Sequence, residues 1–89
     1  MEVTMKNDVE SKFLLSVFDK IRQHGKAVNR QYQLEGITAY TDHDGYTLFI
    51  EDSLVNLRFG FHNKYIFEYD KEEHKVAFLK KLTYIDSTY

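Results

Sequence analysis

At 89 residues with no Cys, the chain has room for one domain and folds without disulfides, so a thiolate nucleophile, an iron–sulfur cluster and a Cys-ligated zinc finger are excluded. Its 12 basic and 14 acidic residues leave a formal charge of −2, which argues against a nucleic-acid protein whose affinity rests on a basic field. A content of 43% hydrophobic and 16% aromatic residues is too apolar for a disordered chain.

Met1–Asn7 is polar and lacks the apolar core of a signal peptide. No run approaches the roughly 20 apolar residues of a membrane span. The expectation is a soluble cytoplasmic protein, with residues 1–6 a loose N-terminal segment and residues 7–89 a single α+β domain. Asn7 with Glu10 three residues later reads as a capping box opening a helix. Phe13, Leu14, Val17, Phe18 and Ile21 fall on one stripe of that helix. Gly25 reads as its stop, a residue that takes up positive φ cheaply. His24 sits in the last turn, where the helix dipole favours a cation.

Lys26–Arg30 is polar and reads as a connection. Alternation then sets in over Ile37–Asp42, Tyr46–Glu51, Val55–His62 and Tyr65–Asp70, the period of half-buried strands. Between them lie Asp42-His43-Asp44-Gly45, Asp52-Ser53 and His62-Asn63-Lys64, all good turn chemistry. Turns of four, two and three residues pair Ala39 with Leu48, Leu48 with Leu57 and Phe59 with Phe67, and they place Tyr46 on the buried face. One apolar face then survives all three reversals. Tyr32 and Leu34 suggest a short extra strand before a bend or bulge at Gly36. Asp70 with Glu73 reads as a second capping box, and Phe78, Leu79, Leu82 and Ile85 as the stripe of a second helix with Val76 at its edge. The predicted fold is a two-layer α+β domain: an antiparallel meander of four to five strands with N-terminal and C-terminal helices packed on one face.

Two groups of residues are candidates for function. The 42–45 and 62–64 turns fall at the same end of the meander, which gathers Asp42, His43, Asp44, His62 and Asn63. Two imidazoles and two carboxylates are raw material for a metal site or an acid–base pair, though Asp, Asn and Gly are also what turns use for backbone reasons. There is no HExxH motif, and an EF-hand reading from Asp42 fails because Ser53 stands where the final Glu belongs. The other group lies on the sheet face away from the helices, which carries Tyr40, Phe49, Arg58 and Ile66 among Thr38, Thr47, Asn56 and Glu68. A patch of large, partly apolar side chains rimmed by polar ones suits a partner surface. Base stacking on such a sheet would need helices between the strands and an aromatic signature motif, and the chain has neither.

A P-loop, a GxGxxG fingerprint and a GxSxG elbow are absent, and His74 stands among Lys71, Glu72, Glu73 and Lys75 as solvated surface. No catalytic residue, metal or cofactor is assigned. The leading expectation is a small non-catalytic interaction or regulatory module that self-associates, without nucleic-acid or membrane partners. The alternative is a small metal- or ligand-binding, enzyme-like domain at the two polar turns.

Phe18-Asp19-Lys20-Ile21-Arg22-Gln23, Gly36–Asp42, Asp44–Thr47, Gly60-Phe61-His62-Asn63 and Phe78-Leu79-Lys80-Lys81-Leu82 carry a further indication. Through them the chain resembles, over nearly all of its residues after Met5, a family of short, uncharacterised gammaproteobacterial proteins known only as a domain of unknown function. The resemblance implies a bacterial cytoplasmic setting and no particular reaction.

Overall fold

The computed structural model describes residues 2–6, 8–43, 45–60 and 64–89. In chain order they form β1 (Glu2–Lys6), α1 (Asp8–His24), β2 (Lys26–Val28), β3 (Gln31–Leu34), β4 (Ile37–Thr41), β5 (Thr47–Glu51), β6 (Val55–Gly60), β7 (Lys64–Tyr69) and α2 (Glu72–Thr88). Strands β2 to β7 run as one antiparallel meander and β1 adds beside β7, giving the order β1-β7-β6-β5-β4-β3-β2. Helix α1 packs over β3 and β4, α2 over β6 and β7, and the two helices touch each other. This is the two-layer α+β arrangement that the alternation predicts.

The sheet is longer than expected at both ends. Lys26–Val28, read as part of a connection, pairs with Gln31–Gln33 as β2. The turn between them is Asn29-Arg30, with φ of 49° and 69°, and the next is Glu35-Gly36, with φ of 55° and 80°. Positive φ at both central residues is the signature of the type I′ turn, whose twist matches that of the flanking strands. Gly36 therefore closes a two-residue hairpin and makes no bulge, and β3 is an interior strand. At the other end Glu2–Lys6, read as a loose segment, lies along β7 with Val3 opposite Phe67 and Met5 opposite Tyr65. The expected cap at Asn7 lies outside the described residues.

Face parity matches the sequence reading at every hairpin, but each register differs from it by two residues. Ala39 faces Ile50, not Leu48; Leu48 faces Phe59, not Leu57; Leu57, not Phe59, faces Phe67. A shift of two keeps every side chain on its face. The first two differences have visible causes. The Asp42 carboxylate accepts hydrogen bonds from the Tyr46 and Thr47 amides at 3.1 and 3.3 Å, which widens that loop and leaves Tyr46 67% exposed instead of buried. The Asp52 carboxylate accepts from the Leu54 and Val55 amides, both at 2.8 Å, while the Asp52 amide donates to the Val55 carbonyl. A four-residue turn thus replaces the expected Asp52-Ser53 pair. In the third hairpin, residues 61–63 lie outside the described residues.

The buried face joins Leu14, Val17 and Ile21 of α1 to Ile37, Ala39, Ile50, Leu57 and Phe67 of the sheet and to Phe78, Leu82 and Ile85 of α2. Each of these side chains larger than Ala39 contributes about 1.5–3 kcal/mol by leaving water. Phe78 meets Phe67 edge to face at 6.4 Å. The expected Asp70 cap does not form: Lys71 is the N-cap and makes no side-chain bond. Glu72 and Glu73 in the first turn complement the helix dipole instead, and the Tyr69 hydroxyl donates to Glu72 at 3.1 Å.

A polar link joins the helices. The Ser16 hydroxyl donates to Asp86 Oδ1 at 2.7 Å, and Lys20 Nζ donates to the same oxygen at 3.1 Å and also to the Asp86 carbonyl. The Ser16 bond holds the Asp86 carboxyl below its ordinary value; partial burial works against it, and Lys20 adds to the lowering. Gly25, read as a positive-φ stop, does not have positive φ. Its reason is space: a Cβ there would lie 2.7 Å from the Gln33 carbonyl oxygen and closer still to that of Ile21. Only a residue without a side chain lets the helix end sit on β3.

Two outcomes follow from these contacts. Gly25→Ala must push backbone from backbone, and urea denaturation is expected to show a loss of about 1–3 kcal/mol, the range of a forced core contact. For Asp86, whose carboxyl is depressed by folding, the stabilisation is complete above the ordinary carboxyl range of about pH 4 and is lost as pH falls through its folded value. Asp86→Asn should cost about 1 kcal/mol at neutral pH and flatten the acid limb of stability against pH.

Candidate functional site

Side chains two residues apart on a strand share a face, so the face opposite the helices is set once the register is known. Tyr40 faces Phe49, Phe49 faces Arg58 and Arg58 faces Ile66. The four candidates of that face thus form one straight row across β4, β5, β6 and β7, all half-buried. The Tyr40 and Phe49 rings stack, with centroids 4.8 Å apart and planes at 9°, an arrangement that adds about 0.5–1.5 kcal/mol to simple burial. Ile66 continues the apolar surface beyond the Arg58 stem.

Polar groups tie down the flank of this row. Arg58 Nη2 lies 3.2 Å from Glu68 Oε1. The Asn56 side-chain amide donates to Glu51, directly across the β5–β6 pair. Burial pushes the Tyr40 phenol above its ordinary value; the charge and hydrogen bond of Glu51 add to this, and the bond to Asn56 opposes it. Tyr40 therefore stays a neutral donor across the physiological range. Glu51 was not among the sequence candidates, although its alternation with Ile50 places it on this face. A shallow depression of about 220 Å³ opens beside the row, lined by Thr47, Arg58, Phe59, Gly60 and Ile66.

The polar turns fare differently. Asp42 serves its own loop. Partial desolvation works to raise its carboxyl, but the amides of Thr47, Gly45 and Tyr46 outweigh this and hold it below the ordinary range. His43 is exposed in the turn. Asp44, His62 and Asn63 lie outside the described residues. Among the described residues no group of three or more His, Asp or Glu is placed to hold a metal ion.

Features that the sequence reading passed over lie near α2. His74, expected in solvent, is half-buried, with Nδ1 enclosed and unpaired among the described residues. His24 packs against the Tyr89 ring, centroids 5.2 Å apart, and the Tyr89 hydroxyl donates to Glu35 at 3.3 Å. A groove of about 450 Å³ runs between Glu35 and the outer side of α2 at Ala77, Lys80, Lys81 and Tyr84. Those four helical positions recur at the three-and-four spacing of one helix face, the one signal by which the groove was legible in advance.

If Asp42 is a loop anchor, Asp42→Ala should speed hydrogen exchange at the Tyr46 and Thr47 amides while leaving the β6–β7 amides protected. In the wild type the same protection should fade as pH drops below the ordinary carboxyl range, because the depressed carboxyl contributes only while ionised.

Over residues 9–89 the chain matches the model of DUF3081, a protein family of unknown function, and it belongs to that family. No curated protein and no solved structure matches it. Among the described residues no helix is long and apolar enough to cross a membrane.

Proposed function

We propose that this member of the DUF3081 family is a small protein-interaction module that self-associates through the open face of its sheet. The observation that carries the reading is the row Tyr40–Phe49–Arg58–Ile66, aligned across four strands on the face that neither helix covers. Its centre is aromatic and aliphatic, and its charged members are already paired at the flank. A partner that covers it removes apolar surface from water without stripping bare charges, the combination that makes burial favourable. Aromatic residues and Arg are also the side chains most often found at the energetic centre of interfaces. A second copy is the simplest partner, because a two-fold axis sets the same patch against itself. The role is binding rather than catalysis, since the row offers no nucleophile beside a base. A reducing, cytoplasmic setting suits a chain without Cys.

The test is the mass of the protein in solution. Sedimentation velocity at micromolar concentration is expected to give a dimer. Phe49→Glu, which sets a carboxylate in the middle of the row, should weaken it about 100-fold or more with the circular dichroism spectrum unchanged. A monomer at every concentration, with the same mass after Phe49→Glu, would refute the reading.

A further inference from the structure

By register, the open-face positions of β5, β6, β7 and β1 fall into rows of different charge. From β5 to β1, one outer row runs Glu51, Asn56, Glu68, Glu2. The middle row over the same strands is Phe49, Arg58, Ile66, Thr4. The other outer row holds Thr47 opposite Gly60 on β5 and β6, then Lys64 opposite Lys6 on β7 and β1. The first outer row is acidic, with Arg58 leaning onto it through Glu68. The second carries two lysines and, over these strands, no acid.

Resting on the proposal that this face binds a second copy, we infer that the two copies are related by a two-fold axis lying along the Tyr40–Phe49–Arg58–Ile66 row. A half-turn about that line keeps each strand over its counterpart and exchanges the two outer rows. The Glu68 and Glu2 positions of one copy then lie over the Lys64 and Lys6 positions of the other, and the reverse pairing holds by symmetry. An axis parallel to the strands would do the opposite: each row would meet its own kind, carboxylates over carboxylates and lysines over lysines. Like charges in apposition are what interfaces avoid and what excludes wrong geometries. The aromatic row becomes the seam, with Phe49 near the axis. Arg58 meets no second guanidinium head-on, because Glu68 draws it to one side of the axis and symmetry draws its counterpart to the other. The strands of the two sheets stay nearly aligned, the ordinary way for sheets to stack face to face.

Charge-reversal variants and their mixture test the axis. Glu68→Lys alone sets a new lysine over Lys64 of the other copy. Lys64→Glu alone sets a new carboxylate over the other copy's Glu68. Each variant should therefore raise the dimer dissociation constant about tenfold or more. Mixed in equal amounts, the two variants restore opposite signs at both contacts, and a heterodimer should form within about threefold of the wild-type affinity. Circular dichroism and the thermal midpoint check that each variant folds. If Glu68→Lys does not, because the Arg58–Glu68 ion pair is lost, Glu2→Lys with Lys6→Glu repeats the design one strand over. A wild-type and Phe49→Glu pair run alongside separates the two levels. If the wild type dimerises and Phe49→Glu does not, yet the charge variants stay dimeric or their mixture stays dissociated, the axis is wrong and self-association stands. If the wild type is a monomer, both fall.

Discussion

Every reversal in this chain must bring the polypeptide back with the same face toward the helices. A strand has two faces, and a turn of the wrong parity would send a whole row of apolar side chains into water. Six strands in one meander meet that condition through turns that hold their backbone in quite different ways. Two are type I′ turns with positive φ at Asn29, Arg30, Glu35 and Gly36. Two are loops organised by an aspartate that accepts backbone amides. Non-glycine residues at positive φ cost about 1–2 kcal/mol each, and the chain tolerates three of them because the alternative is exposure of a strand's worth of core.

With one face buried, the placing of the helices follows. Each has a single apolar stripe and must bury it, and the buried aliphatic and aromatic side chains of β4, β5, β6 and β7 gather on one side of the sheet. They therefore lie side by side, and their contact is set by two local devices. Gly25 lets the end of α1 rest directly on β3, and Asp86 is held by Ser16 and Lys20 across the gap between helices. Tyr89 closes the arrangement by reaching both His24 and Glu35.

The opposite face inherits its composition from the same parity. Alternation that puts Ile50, Leu57 and Phe67 inside puts Phe49, Arg58 and Ile66 outside. A purely structural outer face needs only β-formers that pair well across strands. This one has in addition a stacked aromatic pair, charges neutralised at the flank, and acidic and basic positions on opposite sides of the row. These features form one surface and support the interaction reading more strongly than any isolated side chain of the fold does.

Face and element type were legible in the sequence because they depend on neighbours two to four residues away. The stripes of α1 and α2, the alternation of β4 to β7 and the membership of Tyr40, Phe49, Arg58 and Ile66 in one face all follow from local periodicity. Register was not legible, because a shift of two residues preserves the pattern that a sequence reader can see. With the shorter turns Tyr40 would have faced Thr47, and Phe49 would have faced Asn56. The bonds from Asp42 and Asp52 to amides further along their loops moved both pairs, and with them assembled the continuous row. The edge strands were hidden for another reason. Glu2–Lys6 and Lys26–Val28 are only five and three residues long, too short for their pattern to decide, and what makes them strands is the hydrogen-bonding edge of β7 and of β3, which exists only after the meander has formed. Gly25 shows the same division: the sequence marked the end of a helix there, but the need for glycine came from the backbone of β3, which only the tertiary structure brings against it.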